Sequence, residues 1–459
     1  MLNDTIAAIA TSVSNSGISI VRVSGTDAVS IVDSVFVNSK QQHILSSKES
    51  HTISYGFLLD GDNIVDEVLV SVFKAPRSYT SEDTVEINCH GGVFVTNKVL
   101  ETVIHAGARL ALPGEFTKRA FLNGRIDLSE AEAVMDVISS DSAASLKSGI
   151  SQLKGSVFSS VKKIRDSLIY EVAFIESALD DPEHISLDGY SEKLLIKIED
   201  TVQEIKRLIS SCDTGKIIKN GIRTVIVGKP NAGKSSLLNT LSGFERAIVT
   251  DIAGTTRDII EEKISIGDIN LVLVDTAGIR NTEDSIEKIG VDLALKNIDD
   301  SDLILYVIDS SQKLDESDEK IIELIKSRKS IILLNKSDLN SVINIEDITS
   351  LIPESKIIST SLTNNEGIDE LIGMISDMFV RKDIDYNNEV IITGLRHKEK
   401  LEESLLSLNS VIASINQSLP EDFLTIDLMN AYSSLGNIIG EEVSDDLINE
   451  IFGKFCMGK

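Results

Sequence analysis

The chain has 459 residues, enough for two to four domains at ~150 residues each. Its hydrophobic share of 42% and charged share of 25% are typical of folded proteins and exclude a largely disordered chain. The net charge of −28 repels nucleic acid at long range, so any RNA contact must use a local basic patch. No apolar run approaches the ~18 residues that cross a bilayer, and the first residues lack the basic flank of a signal peptide. We therefore expect a cytoplasmic protein without membrane attachment.

The three cysteines, Cys89, Cys212 and Cys456, are scattered and lack the spacing of zinc ligands. They support neither a disulfide framework nor a zinc site, and we expect reduced thiols. Cys89 stands beside His90, which resembles a Cys/His catalytic pair. Adjacent residues on a strand point to opposite faces, so we reject this pair.

Residues 1–120 mix short strand-like runs with turns and helical stretches, which predicts a compact α+β domain. The strand-like runs are residues 17–23, 68–73 and 84–88. From Leu128, apolar residues recur at helical spacing until Asp180-Asp181-Pro182 breaks the pattern. A second helix is predicted at about residues 192–210.

Between about residues 216 and 383, apolar runs alternate with helical segments, as in a buried parallel sheet. The runs are residues 224–227, 271–274, 303–308 and 331–334. After Arg396 the chain is helical again to Phe452, and we expect its apolar face from Leu401 to pack in a core rather than on a membrane. We predict one helical domain, residues 121–215 and 384–459, interrupted by an inserted Ras-like α/β domain, residues 216–383.

Residues 228–235 read GKPNAGKS, follow a predicted strand and open a predicted helix, as a phosphate-binding P-loop does. Glycines let the backbone wrap phosphate, Lys234 supplies charge for the β- and γ-phosphates, and Ser235 supplies a hydroxyl for Mg²⁺. Three further guanine-nucleotide motifs follow in order: Gly254-Thr255-Thr256-Arg257-Asp258, Asp275-Thr276-Ala277-Gly278 and Asn335-Lys336-Ser337-Asp338. This order excludes a mere glycine-rich turn and predicts a P-loop GTPase.

Each later motif has a role in phosphoryl transfer, which needs positioning and charge neutralisation. Asp275 can hold Mg²⁺ through water, and Thr256 can bring a second hydroxyl to the metal. The Asp338 carboxylate accepts from two adjacent donors of guanine, where adenine presents an acceptor, so GTP is the expected substrate. Ser361, before the turn at residues 364–367, is expected to support the base.

The predicted GTP-binding residues form four groups. They are Asn231, Ala232, Gly233, Lys234, Ser235 and Ser236; Thr250, Asp251, Ile252, Ala253, Gly254, Thr255 and Thr256; Asp275, Thr276, Ala277 and Gly278; and Asn335, Lys336, Asp338, Ser361 and Leu362. Ile279 stands where Ras-like GTPases carry the Gln that orients the attacking water. Glu287 is a carboxylate that could orient the water instead, although composition alone favours a solvated charge on a helix.

The whole chain resembles the family of the tRNA-modification GTPase MnmE, also called TrmE. Outside the GTPase motifs, the resemblance rests on residues 4–11 (DTIAAIAT), Ser78-Tyr79-Thr80 with Glu82-Asp83, His90-Gly91-Gly92, 113–124 (PGEFTKRAFLNG) and 455–459 (FCMGK). It implies a tetrahydrofolate-binding and dimerisation domain at the N-terminus, a discontinuous helical domain and an inserted G domain. It also implies a homodimer that acts with the FAD-containing enzyme MnmG. Together they add an aminomethyl or carboxymethylaminomethyl group to carbon 5 of the tRNA wobble uridine, with a one-carbon unit from 5-formyl- or methylene-tetrahydrofolate.

The resemblance also implies a role for K⁺ in GTP hydrolysis, where the G domains pair across the dimer. Asn231 matches the side-chain ligand of that ion, and Thr250, Ile252 and Thr255 match its backbone or loop ligands. Glu287 matches the residue that orients the hydrolytic water, which reverses the compositional interpretation. With Lys234, it is a predicted catalytic residue.

For folate, Arg22, Glu86 and Lys459 match the family's binding residues, and Arg125 stands where the family has Lys. The arginine guanidinium is planar with several N–H donors, whereas the lysine ammonium is a compact charge. The hydrogen-bond geometry between Arg125 and folate can therefore differ from that of the family's lysine. Without the resemblance, Arg22 and Glu86 would be interpreted as surface charges. Cys456 matches a tail cysteine near the folate, where an exposed thiol could act as a nucleophile; the alternative is an inert terminal thiol.

Two other functions account for parts of the sequence. A GTP-dependent RNA-binding or ribosome-assembly switch would share the G domain, but we expect such a protein to carry a basic RNA-binding module, and this chain is acidic. A metabolic folate enzyme with a regulatory G domain would act on a free one-carbon substrate without RNA.

Overall fold

The structure is a computed structural model that describes residues 4–244, 262–266, 269–274, 298, 300–379 and 390–458. Its contacts divide the chain into two units, which are described separately. The first unit is Met1–Met135, Gln152–Ser191 and Leu406–Lys459, and the second is Asp136–Ser151 and Glu192–Leu405. These units do not test the domain boundaries predicted above, which stay predictions.

A seven-stranded sheet, counted over the described residues, forms the N-terminal part of the first unit in the order β3-β4-β5-β6-β2-β1-β7. Its strands are β1 (Ile6–Ile9), β2 (Ile18–Ser24), β3 (Phe36–Asn38), β4 (Thr52–Asp60), β5 (Asn63–Phe73), β6 (Thr84–His90) and β7 (Arg109–Leu110). Its helices are α1 (Ala28–Val35), α2 (Val93–His105) and α3 (Glu115–Leu122), with a 3₁₀ turn at Leu45–Ser47. Alternate residues of the central strands, such as Val21, Val23, Val85 and Ile87, are fully buried. The predicted α+β fold and its three strand-like runs are confirmed.

Four helices follow: α4 (Leu128–Ile138), α5 (Ala143–Leu153), α6 (Ser156–Asp180) and α7 (Tyr190–Asn220). The helical pattern predicted from Leu128 is thus divided into three helices, and Gly155, with φ of 80°, separates the second from the third. It ends at Asp180, as predicted. The second predicted helix continues past Ser210 to Asn220.

A six-stranded sheet of the second unit, again counted over the described residues, has the order β13-β12-β11-β8-β10-β9. Its strands are β8 (Ile222–Val227), β9 (Glu262–Ile266), β10 (Ile269–Leu273), β11 (Leu303–Asp309), β12 (Ser330–Asn335) and β13 (Lys356–Ser359). Its helices are α8 (Lys234–Phe244), α9 (Glu316–Ile325), α10 (Ile345–Thr349) and α11 (Ile368–Phe379). Strands β11 and β12 are buried throughout, which confirms the prediction from their continuous apolar runs.

Strand β8 pairs in parallel with β10 on one side and β11 on the other. The strand order therefore reverses at β8, and ligands of such sheets bind beyond the carboxyl end of the strand at this point. Residues 228–235 follow β8 directly.

The chain is then helical, with α12 (Leu395–Asn416), α13 (Glu421–Ile439) and α14 (Asp445–Gly453). In the first unit α13 packs against α6, where the Arg165 guanidinium carbon lies 3.9 Å from the centre of the Tyr432 ring. Within the described ranges, none of the helices combines the length and apolarity needed to span a membrane.

A buried ion network joins the start of β1 to α3. The Arg119 side chain, 1% exposed, pairs with Asp4 at 2.7 Å, with Glu115 at 3.1 Å and with Glu82 at 3.2 Å. Arg109 also pairs with Asp4 at 2.6 Å and with Glu115 at 2.7 Å. Burial alone would raise the pKa values of Asp4 and Glu115, but the hydrogen bonds from Arg109 and Arg119 hold both below their usual values. Three of the motifs that carry the resemblance meet in this network.

Candidate nucleotide and N-terminal sites

The P-loop backbone takes conformations that restrict its residue types. Gly228 has φ of 151°, and a Cβ atom there would lie 2.3 Å from the carbonyl oxygen of Val307. Gly233 has φ of 111°, and a Cβ atom there would lie 2.2 Å from Nδ2 of Asn335. Asn231 is left-handed, with φ of 61°, a region that Asn tolerates better than most residues. The loop conformation therefore explains both glycines.

Lys234 begins α8, and its ammonium is held by the loop itself. Nζ donates to the carbonyl oxygens of Gly228 and Lys229, both at 2.8 Å. Ser235 and Ser236 follow in the first turn, whose backbone N–H groups point out of the N-terminal end of the helix. This end of α8 combines a cation, hydroxyls and N–H donors, the groups that bind a phosphate.

Asn335, at the end of β12, connects the phosphate loop to the two loops predicted to read the base. Its Nδ2 donates to the carbonyl oxygen of Ala232 at 2.8 Å, and its Oδ1 accepts from the Leu362 N–H at 3.3 Å. The Asn335 and Leu362 side chains are both buried. The predicted phosphate and base segments therefore meet at one edge of the sheet.

Asp338 accepts a hydrogen bond from the Ser361 hydroxyl at 2.7 Å. Ser361 exchanges backbone hydrogen bonds of 3.0 and 3.2 Å with Glu366, which closes the predicted turn. A hydroxyl that donates to one carboxylate oxygen orients the group and leaves its other lone pairs for donors of a ligand.

Lys336 has φ of 65°, and its Nζ donates to Oδ2 of Asp309 at 2.6 Å. Burial alone would raise the pKa of Asp309, but this hydrogen bond lowers it below its usual value. Sequence reasoning missed Asp309, although it is an acidic residue that ends an apolar strand, which is the available signal. The ion pair holds the loop that carries Asp338.

The other predicted nucleotide-site residues lie outside the described residues. They are Thr250, Asp251, Ile252, Ala253, Gly254, Thr255, Thr256, Asp275, Thr276, Ala277, Gly278, Ile279 and Glu287. Asn231 is thus the one predicted K⁺ ligand, and Ser235 the one predicted Mg²⁺ ligand, among the residues described.

Three of the four predicted folate residues come together in the first unit. Arg22 Nε and Nη2 each lie 2.9 Å from Oε1 of Glu86, and the two side chains are only 14% and 23% exposed. The Arg22 guanidinium carbon lies 5.2 Å from the centre of the Tyr79 ring, and that of Arg125 lies 4.9 Å from it. Arg22 and Glu86 therefore form a largely buried ion pair rather than two separate exposed charges. Tyr79 and Phe116, whose ring centre is 5.7 Å from Arg22, were missed as site residues although both lie in quoted motifs.

The C-terminal tail reaches the same cluster. The Gly458 carbonyl oxygen accepts from Nη1 of Arg22 at 3.3 Å. Gly458 has φ of 87°, and a Cβ atom there would lie 2.2 Å from the carbonyl oxygen of Ile9. Cys456 is exposed, and its carbonyl oxygen accepts from the Gly114 N–H at 3.4 Å. Lys459 lies outside the described residues.

Cys89 and His90 point to opposite faces of β6, as predicted. Cys89 is buried, and burial raises the pKa of its thiol. His90 is exposed, and its hydrogen bond to Asp66, at 2.7 Å, raises the pKa of the imidazole. The rejection of a Cys/His pair is confirmed.

Two protein-family models match the chain. The model described as GTP-binding protein TrmE N-terminus matches residues 5–125, and the model described as MnmE helical domain matches residues 128–456. Among solved structures, Aquifex aeolicus Era bound to GDP and AlF4⁻ is 27% identical, over 40% of this chain and 66% of that chain, with a TM-score of 0.27. That score is too low to bear on the fold.

Curated relatives match over the full length. The protein named tRNA modification GTPase MnmE of Lachnoclostridium phytofermentans is 55% identical over 459 residues, 100% of each chain. The proteins of the same name from Alkaliphilus oremlandii and Acetivibrio thermocellus are each 46% identical, over 100% and 99% of both chains. With both family models and these identities over its whole length, the chain belongs to the MnmE family of tRNA modification GTPases.

Proposed function

We propose that the chain binds GTP at the P-loop and hydrolyses it as part of tRNA modification in the cytoplasm. The observation that carries the proposal is the bond from Asn335 to the Ala232 carbonyl oxygen, at 2.8 Å. It holds the phosphate loop against the loops of Asp338 and Ser361, so one nucleotide can contact all three segments. The family membership supports the same activity.

Each side chain has a specific role in this proposal. Lys234 keeps its bonds to the two backbone carbonyl oxygens and directs its third N–H to the β- and γ-phosphates, and Asp338 accepts from guanine. Ser235 and Thr256 would hold Mg²⁺, which would neutralise phosphate charge, and Asp275 would bind it through water. Glu287 orients the attacking water.

A K⁺ ion is proposed beside the phosphates, with Asn231 as its side-chain ligand and Thr250, Ile252 and Thr255 as its loop ligands. Such an ion supplies the positive charge that an arginine supplies in other GTPases. Asn231 lies in the P-loop before the start of α8 at Lys234, with a left-handed backbone that asparagine tolerates.

The tRNA reaction proposed for this chain is the addition of an aminomethyl or carboxymethylaminomethyl group to carbon 5 of the wobble uridine. The proposed assembly is a homodimer with the FAD-dependent MnmG, and the one-carbon unit comes from a tetrahydrofolate. The cluster of Arg22, Glu86, Tyr79 and Arg125 fits a folate, because it offers an aromatic face, cations for carboxylates and an acceptor for pterin N–H groups. Lys459 and Cys456 are proposed to complete this site.

Mass spectrometry of wobble uridines tests the function. We expect cells that lack the chain to lose the modification, the wild-type gene to restore it, and Asp338→Asn not to restore it at equal expression. Unchanged modification in cells that lack the chain would refute the tRNA function and favour a GTP-dependent RNA-binding switch.

GTP hydrolysis in K⁺ and Na⁺ buffers tests the cation site. We expect hydrolysis to be at least about tenfold faster in K⁺, since one charge stabiliser of the transition state has an effect of this size or larger. Asn231→Gly should remove the difference, because glycine keeps the positive φ of 61° but removes the ligand. Equal wild-type rates in the two buffers would contradict the assignment of Asn231.

A further inference from the structure

A buried tyrosine and aspartate reach the P-loop through a lysine that the nucleotide site does not otherwise use. Tyr306, on β11, is fully buried, and its hydroxyl donates to Oδ1 of Asp318 at 2.7 Å. Asp318, on α9, is 1% exposed, and its Oδ2 lies 2.6 Å from Nζ of Lys229. Asp315 lies 3.1 Å from the same ammonium and donates its N–H to Oδ2 of Asp318 at 3.0 Å.

The buried carboxylate of this group has both a cation and hydrogen-bond donors. A carboxylate as buried as Asp318 requires a cation or several donors, and here it has the Lys229 ammonium, the Tyr306 hydroxyl and the Asp315 N–H. Burial alone would lower the pKa of Lys229, but its hydrogen bonds to Asp318 and Asp315 raise it above the usual value. Burial, and then the bond to Asp318, raise the pKa of Tyr306. The lysine is therefore charged and the phenol neutral at neutral pH.

Lys229 is also the residue whose backbone holds Lys234. Its carbonyl oxygen accepts from Nζ of Lys234 at 2.8 Å and from the Ala232 N–H at 3.3 Å. Helix α9 is itself fixed at this end by the capping box of Asp315 and Asp318. One end of Lys229 is thus bound to a rigid helix, and the other end lies in the phosphate loop.

We propose that Tyr306, Asp318 and Lys229 anchor the P-loop, and that Lys229 is a positioning residue for Lys234 rather than a phosphate ligand. A loop already held in its binding conformation loses less conformational entropy when the ligand binds. The Asp318 carboxylate sets the position of Lys229, and the Tyr306 hydroxyl sets that of Asp318. The inference rests on the proposed function, because it concerns how the same site binds nucleotide.

Equilibrium binding of GDP to the full chain tests the anchor. We expect Lys229→Met and Asp318→Asn each to raise the Kd about tenfold, and the double variant to be no weaker than the weaker single variant, since both break one connection. Lys229→Arg should keep wild-type affinity, because a guanidinium can pair with both carboxylates. Because Asp318 is buried, 0.5 M salt should change these ratios little.

Lys326→Met is the matched control. Lys326 directly follows α9, pairs with Glu323 at 2.6 Å and is 48% exposed. Like Lys229→Met, Lys326→Met removes one positive charge near α9, but it changes no contact of the P-loop. The Kd for GDP should therefore stay at the wild-type value. A Kd raised equally by Lys326→Met would assign the effect to net charge and overturn the proposal.

The Asp318 variant separates an anchor from a phosphate ligand. If Lys229 contacted phosphate directly, Asp318→Asn would free its ammonium and leave GDP binding equal or tighter. That result, or additive losses in the double variant, would overturn the proposal. If Asp318→Asn does not fold, Tyr306→Phe replaces it, with a smaller expected loss of about threefold from one removed hydrogen bond.

Hydrogen exchange of the nucleotide-free protein tests whether Lys229 and Asp318 hold the P-loop, and it needs no bound GTP. We expect peptides that cover residues 228–236 to exchange several-fold faster in Lys229→Met and Asp318→Asn than in the wild type or Lys326→Met. Unchanged exchange would refute the anchor even if GTP binds. A wild-type chain that binds no guanine nucleotide would refute the proposed function and leave this comparison intact.

Discussion

Asp338→Asn is expected to weaken GTP binding roughly 10²–10³-fold, because one of the two carboxylate acceptors becomes an NH₂ group that faces a donor of guanine. Ser361 holds the carboxylate at 2.7 Å from its hydroxyl, so the wild-type side chain is already oriented for the base. Competition of GTP against a fluorescent GDP analogue measures the change. Xanthosine triphosphate, which has a carbonyl where guanine has its amino group, should bind the variant better than GTP.

Asp369→Asn is the control for this variant. Asp369 lies exposed in the first turn of α11, in the same sheet domain, so its substitution removes the same charge away from the predicted base loop. We expect its GTP affinity to match the wild type within about twofold. If the Asp338→Asn protein keeps its GTP affinity and still prefers GTP to xanthosine triphosphate, Asp338 does not recognise the guanine base.

Arg119→Leu is expected to lower the free energy of unfolding of the first unit by about 3 kcal/mol, since it removes a buried guanidinium and leaves the largely buried Glu82 without the cation it pairs with. The side chain is 1% exposed and contacts Asp4, Glu82 and Glu115, of which Arg109 can still pair with Asp4 and Glu115. Hydrogen exchange of peptides from β1 and α3 in a urea series measures the change for this unit.

The same variant has a pH dependence of known sign. The pKa values of Asp4 and Glu115 are lowered in the folded protein, so their ion pairs stabilise it above the unfolded pKa values of about 4. This stabilisation is lost as the pH falls through the lower folded values. The difference between wild type and Arg119→Leu should therefore shrink below about pH 4.

Arg77→Leu, an exposed substitution in the same unit, is the control and should change the unfolding free energy by less than about 0.5 kcal/mol. A constant difference between wild type and Arg119→Leu from pH 7 to pH 3 would show that packing, not charge pairing, accounts for the loss.

Local patterns in the sequence were sufficient for the strands and for the phosphate loop. The apolar runs of β8, β10, β11 and β12 indicated buried parallel strands. A strand that is covered on both faces carries apolar residues at successive positions instead of alternating apolar and polar ones. The P-loop was recognised because its glycines, lysine and serine are adjacent in the chain, so their spacing is itself the site. The order of the later motifs identified the nucleotide class for the same reason.

Helix lengths were less accurate. Apolar periodicity reports the face of a helix and continues across short breaks, so α4, α5 and α6 were predicted as one pattern. The break at Gly155 depends on a left-handed backbone, with φ of 80°, that periodicity does not detect. The last turns of α7 carry mixed residues, and the helix ends at Asn220, where Gly221 has a left-handed backbone with φ of 78°.

The sequence by itself determined the GTPase class, the family and the strands, because each depends on residues that are neighbours in the chain. The tertiary structure alone decided which distant side chains meet: Arg119 with Asp4, Asp309 with Lys336, and Lys229 with Asp318. Their partners are separated by 115, 27 and about 90 residues, distances over which spacing carries no signal. Only the packing of α9 beside the loop after β8 brings Lys229 to Asp318, the contact on which the proposed anchor of the P-loop rests.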